Sequence, residues 1–260
     1  MLDFTDKMSA NPFDLSGKIA IVTGANTGIG RAIAIALAEA GADIAVAGRT
    51  QPTQTESDVR KLGRRFHAIS ADLSDSGVAP AVIGETVKHF GRIDILVNNA
   101  GIVRRAEALD ITEDVWDAVM TVNLKSVFFL AQAAARQMLA QGSGGKIVNI
   151  ASLLSFQGGI HVAPYTAAKS GLAGLTRLLA NEWAAMGINV NAIAPGYIAT
   201  KNTSALQTDE TRNRQILERI PAGRWGQPSD IGGGAVFLAS RAADYLHGAI
   251  IAIDGGWLAR

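Results

Sequence analysis

The stretch "VTGANTGIGRAIAIALAEAGADIAVAGR" (residues 22–49) reads as strand, glycine loop, helix and strand in unbroken succession. The apolar run "KIAIVT" (18–23) leads into glycines at Gly24, Gly28 and Gly30, and "GRAIAIALAEAG" (30–41) continues with the spacing of an amphipathic helix. This G-x-x-x-G-x-G order differs from the common G-x-G-x-x-G dinucleotide fingerprint, but the physics is shared. Glycines let the backbone approach a pyrophosphate, and the following helix N-terminus offers unpaired N–H groups. A tight strand-to-helix turn without a ligand is the plain alternative. Its place after the first strand of an alternating chain favours a nucleotide cradle made of Gly24, Asn26, Thr27, Gly28, Ile29 and Gly30.

Outward from this unit, further strand-like runs are "RFHAIS" (65–70), "RIDILVN" (92–98), "GKIVNI" (145–150), "INVNAIA" (188–194) and "GAIIAID" (248–254). Between them lie helix-like stretches, the longest "EDVWDAVMTVNLKSVFFLAQAAARQML" (113–139). Near-continuously apolar strands alternating with helices predict an α/β fold, a doubly wound Rossmann-type parallel sheet of seven strands with helices on both faces. With no Pro- or Ser-rich linker and no repeat, residues 1–260 read as one domain, residues 1–14 forming an N-terminal extension.

Composition narrows the classes. Hydrophobic residues make up 48% of the 260-residue chain and charged ones 18%, enough for a buried core. A net charge of +1 leaves no basic excess for phosphate backbones, so neither a nucleic-acid binder nor a membrane-surface binder is expected. The absence of cysteine excludes disulfides, thiolate metal sites and a cysteine nucleophile. The first residues contain no signal-like apolar region and no stretch approaches span length, so a cytoplasmic location is the expectation.

The end of the second strand carries the next clue. An acid at that place binds the ribose hydroxyls of NAD. Here the chain reads "AVAGRT", with Gly48 followed by Arg49, and an arginine there suits the 2′-phosphate of NADP. Thr50 and Gln51 are further donors, and a solvated loop charge is the alternative for Arg49.

In "PYTAAKS" (164–170), Tyr165 and Lys169 stand four apart. Helical spacing over Tyr165–Met186, with Gly187 as a stop, puts both on one face near the N-terminal end. Ala168, Leu172, Leu175, Leu179 and Trp183 form its core stripe, and Ala167, Gly171 and Gly174 offer close packing. Taken alone, such a pair is a surface pair more often than a proton-transfer pair.

Four motifs in order, "TGANTGIG" (23–30), "NNAG" (98–101), "YTAAK" (165–169) and "PG" (195–196), resemble the short-chain dehydrogenase/reductase family across nearly the whole chain. The resemblance implies that Tyr165 is the catalytic acid/base, Lys169 its partner, Ser152 the serine that holds the substrate oxygen, and Asn123 the structural and proton-relay asparagine. Ser155 is the rival to Ser152, and Asn123 as a plain backbone partner in a long helix is the rival to its relay role. Reduction of a carbonyl by hydride needs a proton at the forming alkoxide, and oxidation needs the reverse. A neighbouring ammonium would lower the phenol pKa toward neutrality. The resemblance also implies Asp72 and Leu73 around an adenine, Asn98, Ala100 and Gly101 beneath a ribose, and Pro195, Gly196, Ile198 and Thr200 at a nicotinamide.

Longer stretches, among them "NNAGIVRRAEAL", "RIPAGRWGQPSDI" and "DGGWLAR", are similar to sugar-acid dehydrogenases of the family. That resemblance implies a small sugar-acid substrate from uronate breakdown, NAD as the usual cofactor, and a homotetramer. NAD and NADP both stay open, since Gly48-Arg49 points to NADP. Arg104, Gln157 and His161 are candidates for the carboxylate and hydroxyls, with Lys201, Asn202 and Arg224 as others. Gluconate dehydrogenation and reduction of carrier-bound 3-oxoacyl groups are the competing activities, and a nucleotide-binding regulator without turnover is the competing class. Trp257 and Leu258 in the tail are expected to be exposed unless something covers them, and the family's homotetramer is one such cover.

Overall fold

Strands buried on both faces must be apolar at nearly every position. In the computed structural model, which describes residues 11–260, the strands are β1 (Ile19–Thr23), β2 (Asp43–Gly48), β3 (Phe66–Ser70), β4 (Ile95–Asn98), β5 (Gly145–Ile150), β6 (Ile188–Pro195) and β7 (Ile250–Ile253); β1, β4 and β6 are buried at every position, while the edge strands β3 and β7 are only partly covered. Residues 1–10, most of the expected N-terminal extension, lie outside the described residues. The strands pair in parallel in the order β3-β2-β1-β4-β5-β6-β7. The order reverses between β1 and β4, which opens a crevice at their carboxyl ends.

The two-residue period of the strands sorts the core into two layers. Ala20, Val22, Ile44 and Val46 point to one face, where α1 (Gly28–Glu39), α2 (Thr53–Lys61) and the later Ser229–Ala239 helix supply Ile33, Leu37, Val59 and Leu238. Ile19, Ile21, Ala45 and Ala47 point to the other, against α3 (Ala79–Phe90) and two further helices. α4 (Glu113–Met120) and α5 (Ser126–Ala140) lead to α6 (Ala163–Trp183), and α5 and α6 add Leu130, Met138 and Leu179 to that second layer. After β6, α7 (Ser204–Thr208), α8 (Glu210–Arg219) and α9 (Ser229–Ala239) complete the elements.

Four sequence expectations change. The helix expected over 113–139 is interrupted by a π-helical turn, Thr121–Lys125, in which the Ser126 N–H reaches the Thr121 carbonyl. The same stretch, Glu113–Ala140, is long and apolar enough by composition to cross a membrane, contrary to the expectation of no such stretch. Its apolar content is explained by Leu130, Ala131 and Ala134, which pack on the sheet. α6 begins at Ala163, so Pro164 sits in its first turn, and the helix runs through Ala184–Met186 to the left-handed Gly187. Gly171 of this helix meets the Leu124 side chain, whereas Gly174 has no neighbour within 4 Å, so close packing holds only at the former.

The glycine loop is held from beneath. The Asn99 side-chain amide donates to the Thr23 and Gly24 carbonyls, and a Cβ on Gly30 would lie 2.4 Å from that amide nitrogen and 2.6 Å from the Gly24 oxygen. Gly30→Ala is therefore expected to destabilise the fold by ~1–3 kcal/mol through overpacking. Urea unfolding measures this, and an unchanged midpoint would show that the loop yields.

Candidate active site

A cavity of about 1610 Å³ opens at the carboxyl ends of β1 to β6. That exceeds the ~300–1,000 Å³ of an ordinary small-molecule pocket, which leaves room for a dinucleotide and a second ligand. Gly24, Asn26, Thr27, Gly28, Ile29 and Gly30 line one part of it. No side chain caps the first turn of α1, and that turn holds no acid. Gly28 has φ +58, and a Cβ there would meet nothing nearer than Thr200 Cγ2 at 3.5 Å. A helix end left uncapped inside a cavity requires polar partners for its N–H groups, and a diphosphate fits that demand.

Arg49 and Thr50 line the same cavity beyond β2, and Gln51 is outside the lining. Asp72 and Leu73 follow β3 in the lining. Hydrogen bonds from the Ser74 backbone and hydroxyl hold the Asp72 carboxyl below its ordinary range, with the Arg49 charge adding to the effect. Ala100, Gly101, Pro195, Gly196, Ile198 and Thr200 also line the cavity. Asn98 is not among the lining residues. It is 2% exposed and donates to Asn149 Oδ1 at 2.9 Å, and Asn149 donates in turn to Thr176 Oγ1 at 3.0 Å. Asn98 follows Leu96 by two along β4, so the pleat turns it to the α5 and α6 face rather than to the crevice.

Ser152, Tyr165 and Lys169 meet in this cavity. β5 ends at Ile150, and Ser152 caps the following Leu153–Ser155 turn by accepting from the Leu154 N–H at 3.2 Å. Lys169 is 4% exposed, its Nζ donating to the Ile150 carbonyl at 2.5 Å and standing 5.7 Å from the Tyr165 ring centroid. Burial pushes the Lys169 ammonium down to about 8. Burial also raises the Tyr165 phenol, while a hydrogen bond from Ser152 and the Arg105 charge pull it back. Desolvation outweighs those two pulls, so the direction is opposite to the one the neighbouring ammonium by itself predicts. Ser155, the rival serine, donates to the Lys169 carbonyl at 2.7 Å and is outside the lining.

Asn123 is fully buried in the π-helical turn. Its Oδ1 accepts from the Ile102 N–H at 2.8 Å, and its Nδ2 donates to the Ile102 carbonyl at 2.7 Å. A Cβ on Gly101 would sit 2.7 Å from that Oδ1. The asparagine therefore clamps the loop after β4 rather than satisfying its own helix.

The candidates for substrate contact separate. Arg104, Gln157, His161, Lys201 and Asn202 line the cavity; Arg224 does not, being held by Asp230 through contacts of 2.7 and 3.0 Å. His161 has a left-handed backbone, φ 61, and its Nε2 lies 2.9 Å from Glu107 Oε1, so its ring is engaged. Sequence reasoning missed Arg105, which donates to the Asn202 carbonyl at 3.3 Å, and also Arg212, Arg219 and Tyr197 in the lining. Trp257 lines the cavity too and is 4% exposed, packed with Leu153, Ile216 and Ile220. The chain's own α8 segment is thus one cover for its ring. Only the doubled arginine in "VRR" (103–105) was a usable signal; the others depend on folding back across the sheet.

A family model described as enoyl-(acyl carrier protein) reductase matches residues 24–258. The chain is 58% identical to 2-dehydro-3-deoxy-D-gluconate 5-dehydrogenase of Escherichia coli (strain K12), over 97% of this chain and 100% of that protein. It is 57% identical to the Bacillus subtilis (strain 168) protein of the same name, over 95% and 97%. A crystal structure of a putative 2-deoxy-D-gluconate 3-dehydrogenase from Agrobacterium tumefaciens, with bound NADP, superposes with a TM-score of 0.92 at 59% identity, covering 96% of this chain and 100% of that one. With a family model spanning nearly the whole chain and relatives this similar end to end, the protein belongs to the short-chain dehydrogenase/reductase family.

Proposed function

We propose that the protein is an NAD(P)-dependent oxidoreductase interconverting a secondary alcohol and a ketone on a small sugar acid, with 2-dehydro-3-deoxy-D-gluconate as the substrate. The observation that carries this reading is the convergence of Ser152, Tyr165 and Lys169 in a cavity whose other wall is rich in cations. The loop after β4, the Lys201–Thr203 turn and α8 contribute Arg104, Arg105, Lys201, Arg212 and Arg219 to that wall, against Asp209 as an acid. Asp209 is itself engaged, accepting from the Arg212 N–H at 2.9 Å. A wall of that sign suits a carboxylate-bearing ligand. Similarity to the named sugar-acid dehydrogenases supports the same class.

When bound, the nicotinamide dinucleotide supplies the hydride donor or acceptor. Ser152 donates a hydrogen bond at the substrate oxygen, and the Tyr165 hydroxyl delivers or removes the proton there. Lys169 places a positive charge beside that ring, and Asn123 fixes the loop that forms the site's edge. Residues Gly24 to Gly30 hold the diphosphate and Asp72 and Leu73 the adenine. Ala100 and Gly101 hold the ribose, and Pro195, Gly196, Ile198 and Thr200 hold the nicotinamide end. Arg49, exposed at the mouth, receives the 2′-phosphate and favours NADP. The proposal includes a cytoplasmic location beside the free dinucleotide pool, and a homotetramer for which exposed Phe129, Leu139 and Leu178 on α5 and α6 offer apolar contact area.

The reading is tested with keto-uronates, gluconate and acetoacetyl thioesters, each with NAD(H) and NADP(H). Turnover of the thioesters alone would replace the substrate class. Tyr165→Phe is expected to lower kcat by ~10²–10⁴-fold, the range of general acid–base catalysis, with cofactor affinity retained. Near-wild-type turnover would remove Tyr165 from the chemistry.

Arg49→Asp is expected to reduce kcat/KM with NADP by ~10-fold or more, the worth of a charge-assisted contact, and to leave NAD within a few-fold. Equal losses with both cofactors would end the phosphate role.

Lys169 adds a pH signature. Its folded-state pKa of about 8 lies below the ordinary lysine value, so below pH 8 the charged form is carried in both states at a cost to the fold. As pH rises above 8, the unfolded chain binds more protons than the folded one and stability recovers. Lys169→Met should abolish turnover and flatten this rise, so that wild type gains stability relative to the variant between about pH 8 and 10. Parallel stability curves from pH-dependent urea unfolding would refute a depressed lysine.

A further inference from the structure

The tail "DGGWLAR" (254–260) has no part in the proton transfer just described, yet it places an indole in the cavity wall. Asp254 holds the tail turn, its carboxylate accepting from the Gly256 and Leu258 N–H groups at 2.8 and 2.9 Å. The indole so fixed has two polar consequences. Its Nε1–H donates to Gln157 Oε1 at 3.1 Å, and its ring lies 4.1 Å beneath the Arg219 guanidinium. Arg219 Nη2 also donates to Gln157 Oε1, at 3.2 Å.

An indole and a guanidinium donate and never accept, so the Gln157 atom facing both must be the oxygen. The carboxamide is thereby locked in one orientation with its NH₂ turned away from Trp257 and Arg219. A guanidinium carries five N–H donors, so the bond to Gln157 leaves others for a ligand. Stacking on the indole holds its plane. Gln157 stands just past the Leu153–Ser155 turn that Ser152 caps, so this donor pair and the reacting oxygen's site are tied to one short loop. The nearest acid in sequence, Glu218, faces Arg214 at 4.0 Å.

We propose that Trp257 is a positioning residue for substrate binding, holding the Gln157 amide and the Arg219 guanidinium as a paired donor site for the carboxylate of the sugar acid. The inference rests on the sugar-acid reading and deepens it by naming where the acid group binds. The carboxylate does not react, so the site acts on KM and on the choice between charged and neutral substrates. An arginine supplies a charge-assisted contact, while the indole N–H supplies only orientation.

The test uses 2-dehydro-3-deoxy-D-gluconate and its primary amide, an identical chain without the charge. Wild type should prefer the acid by ~10-fold or more in kcat/KM, and Arg219→Met should erase most of that preference, matching the loss of a charge-assisted hydrogen bond. Trp257→Phe keeps an aromatic ring and removes the N–H, and should raise KM for the acid ~3–10-fold, the worth of a neutral hydrogen bond. Its kcat and its KM for NADP⁺, the hydride acceptor in this direction, should stay within about twofold, as expected for a role confined to ground-state binding. Gln157→Leu should reproduce the acid-selective loss while leaving the Asp254-held tail turn in place. Variants that slow acid and amide by the same factor, or that leave the acid preference intact, overturn the positioning role. A wild type that turns over neither compound, or treats them alike, overturns the sugar-acid reading itself, and the inference falls with it.

Discussion

An ammonium held out of water constrains this structure more than any other single group. Lys169 is almost fully buried and makes a short hydrogen bond to the carbonyl of Ile150, the last residue of β5. Burying such a charge is costly unless it is paired and hydrogen-bonded. Its carbonyl accepts from Ser155, so the first turns of α6 are pinned to the loop after β5 by both side chain and backbone. That docking brings Tyr165 and Ser152 together, because one lies a helical turn before the lysine and the other two residues past Ile150.

A second constraint works from the opposite side of the crevice. The π-helical turn at Thr121–Lys125 turns Asn123 toward Ile102, where its two amide atoms satisfy one residue's N–H and carbonyl. Buried backbone groups left without partners would each cost ~1–3 kcal/mol, so the loop after β4 is held firmly. Beneath both constraints, the Asn98, Asn149 and Thr176 side chains form a buried polar line from β4 through β5 to α6. Polar groups in that position tie the catalytic helix to the sheet at fixed register, which apolar packing alone does less specifically.

The far wall of the cavity is assembled from distant parts of the chain. Arg105 comes from the loop after β4, Arg219 from the end of α8, and Trp257 from the tail, with Gln157 joining the last two. A tail folded back into the Leu153, Ile216 and Ile220 cluster buries its indole and orients the polar groups of the wall.

The strand-and-helix alternation, the parallel sheet, the glycine loop and the Tyr165–Lys169 pairing were legible from residue order, because each depends on local periodicity or on contacts four residues apart. Seven apolar runs and the switch of period at Gly24 were enough to place the crevice. The interruption of the 113–139 helix was not legible, since it follows from a long-range bond between Asn123 and Ile102. Nor was the direction of the Tyr165 shift, which is set by how much water the folded chain removes around the phenol. Asn98 turned inward because of strand pleat and pairing, and Arg224 was lost to Asp230 through a contact no spacing announces. Residue order thus determined the fold and put Tyr165 and Lys169 on one helical face, and the resemblance of its motifs to a known family implied their chemistry. The tertiary structure decided the burial of that pair and the makeup of the substrate wall, because desolvation and long-range hydrogen bonds exist only once the chain has closed on itself.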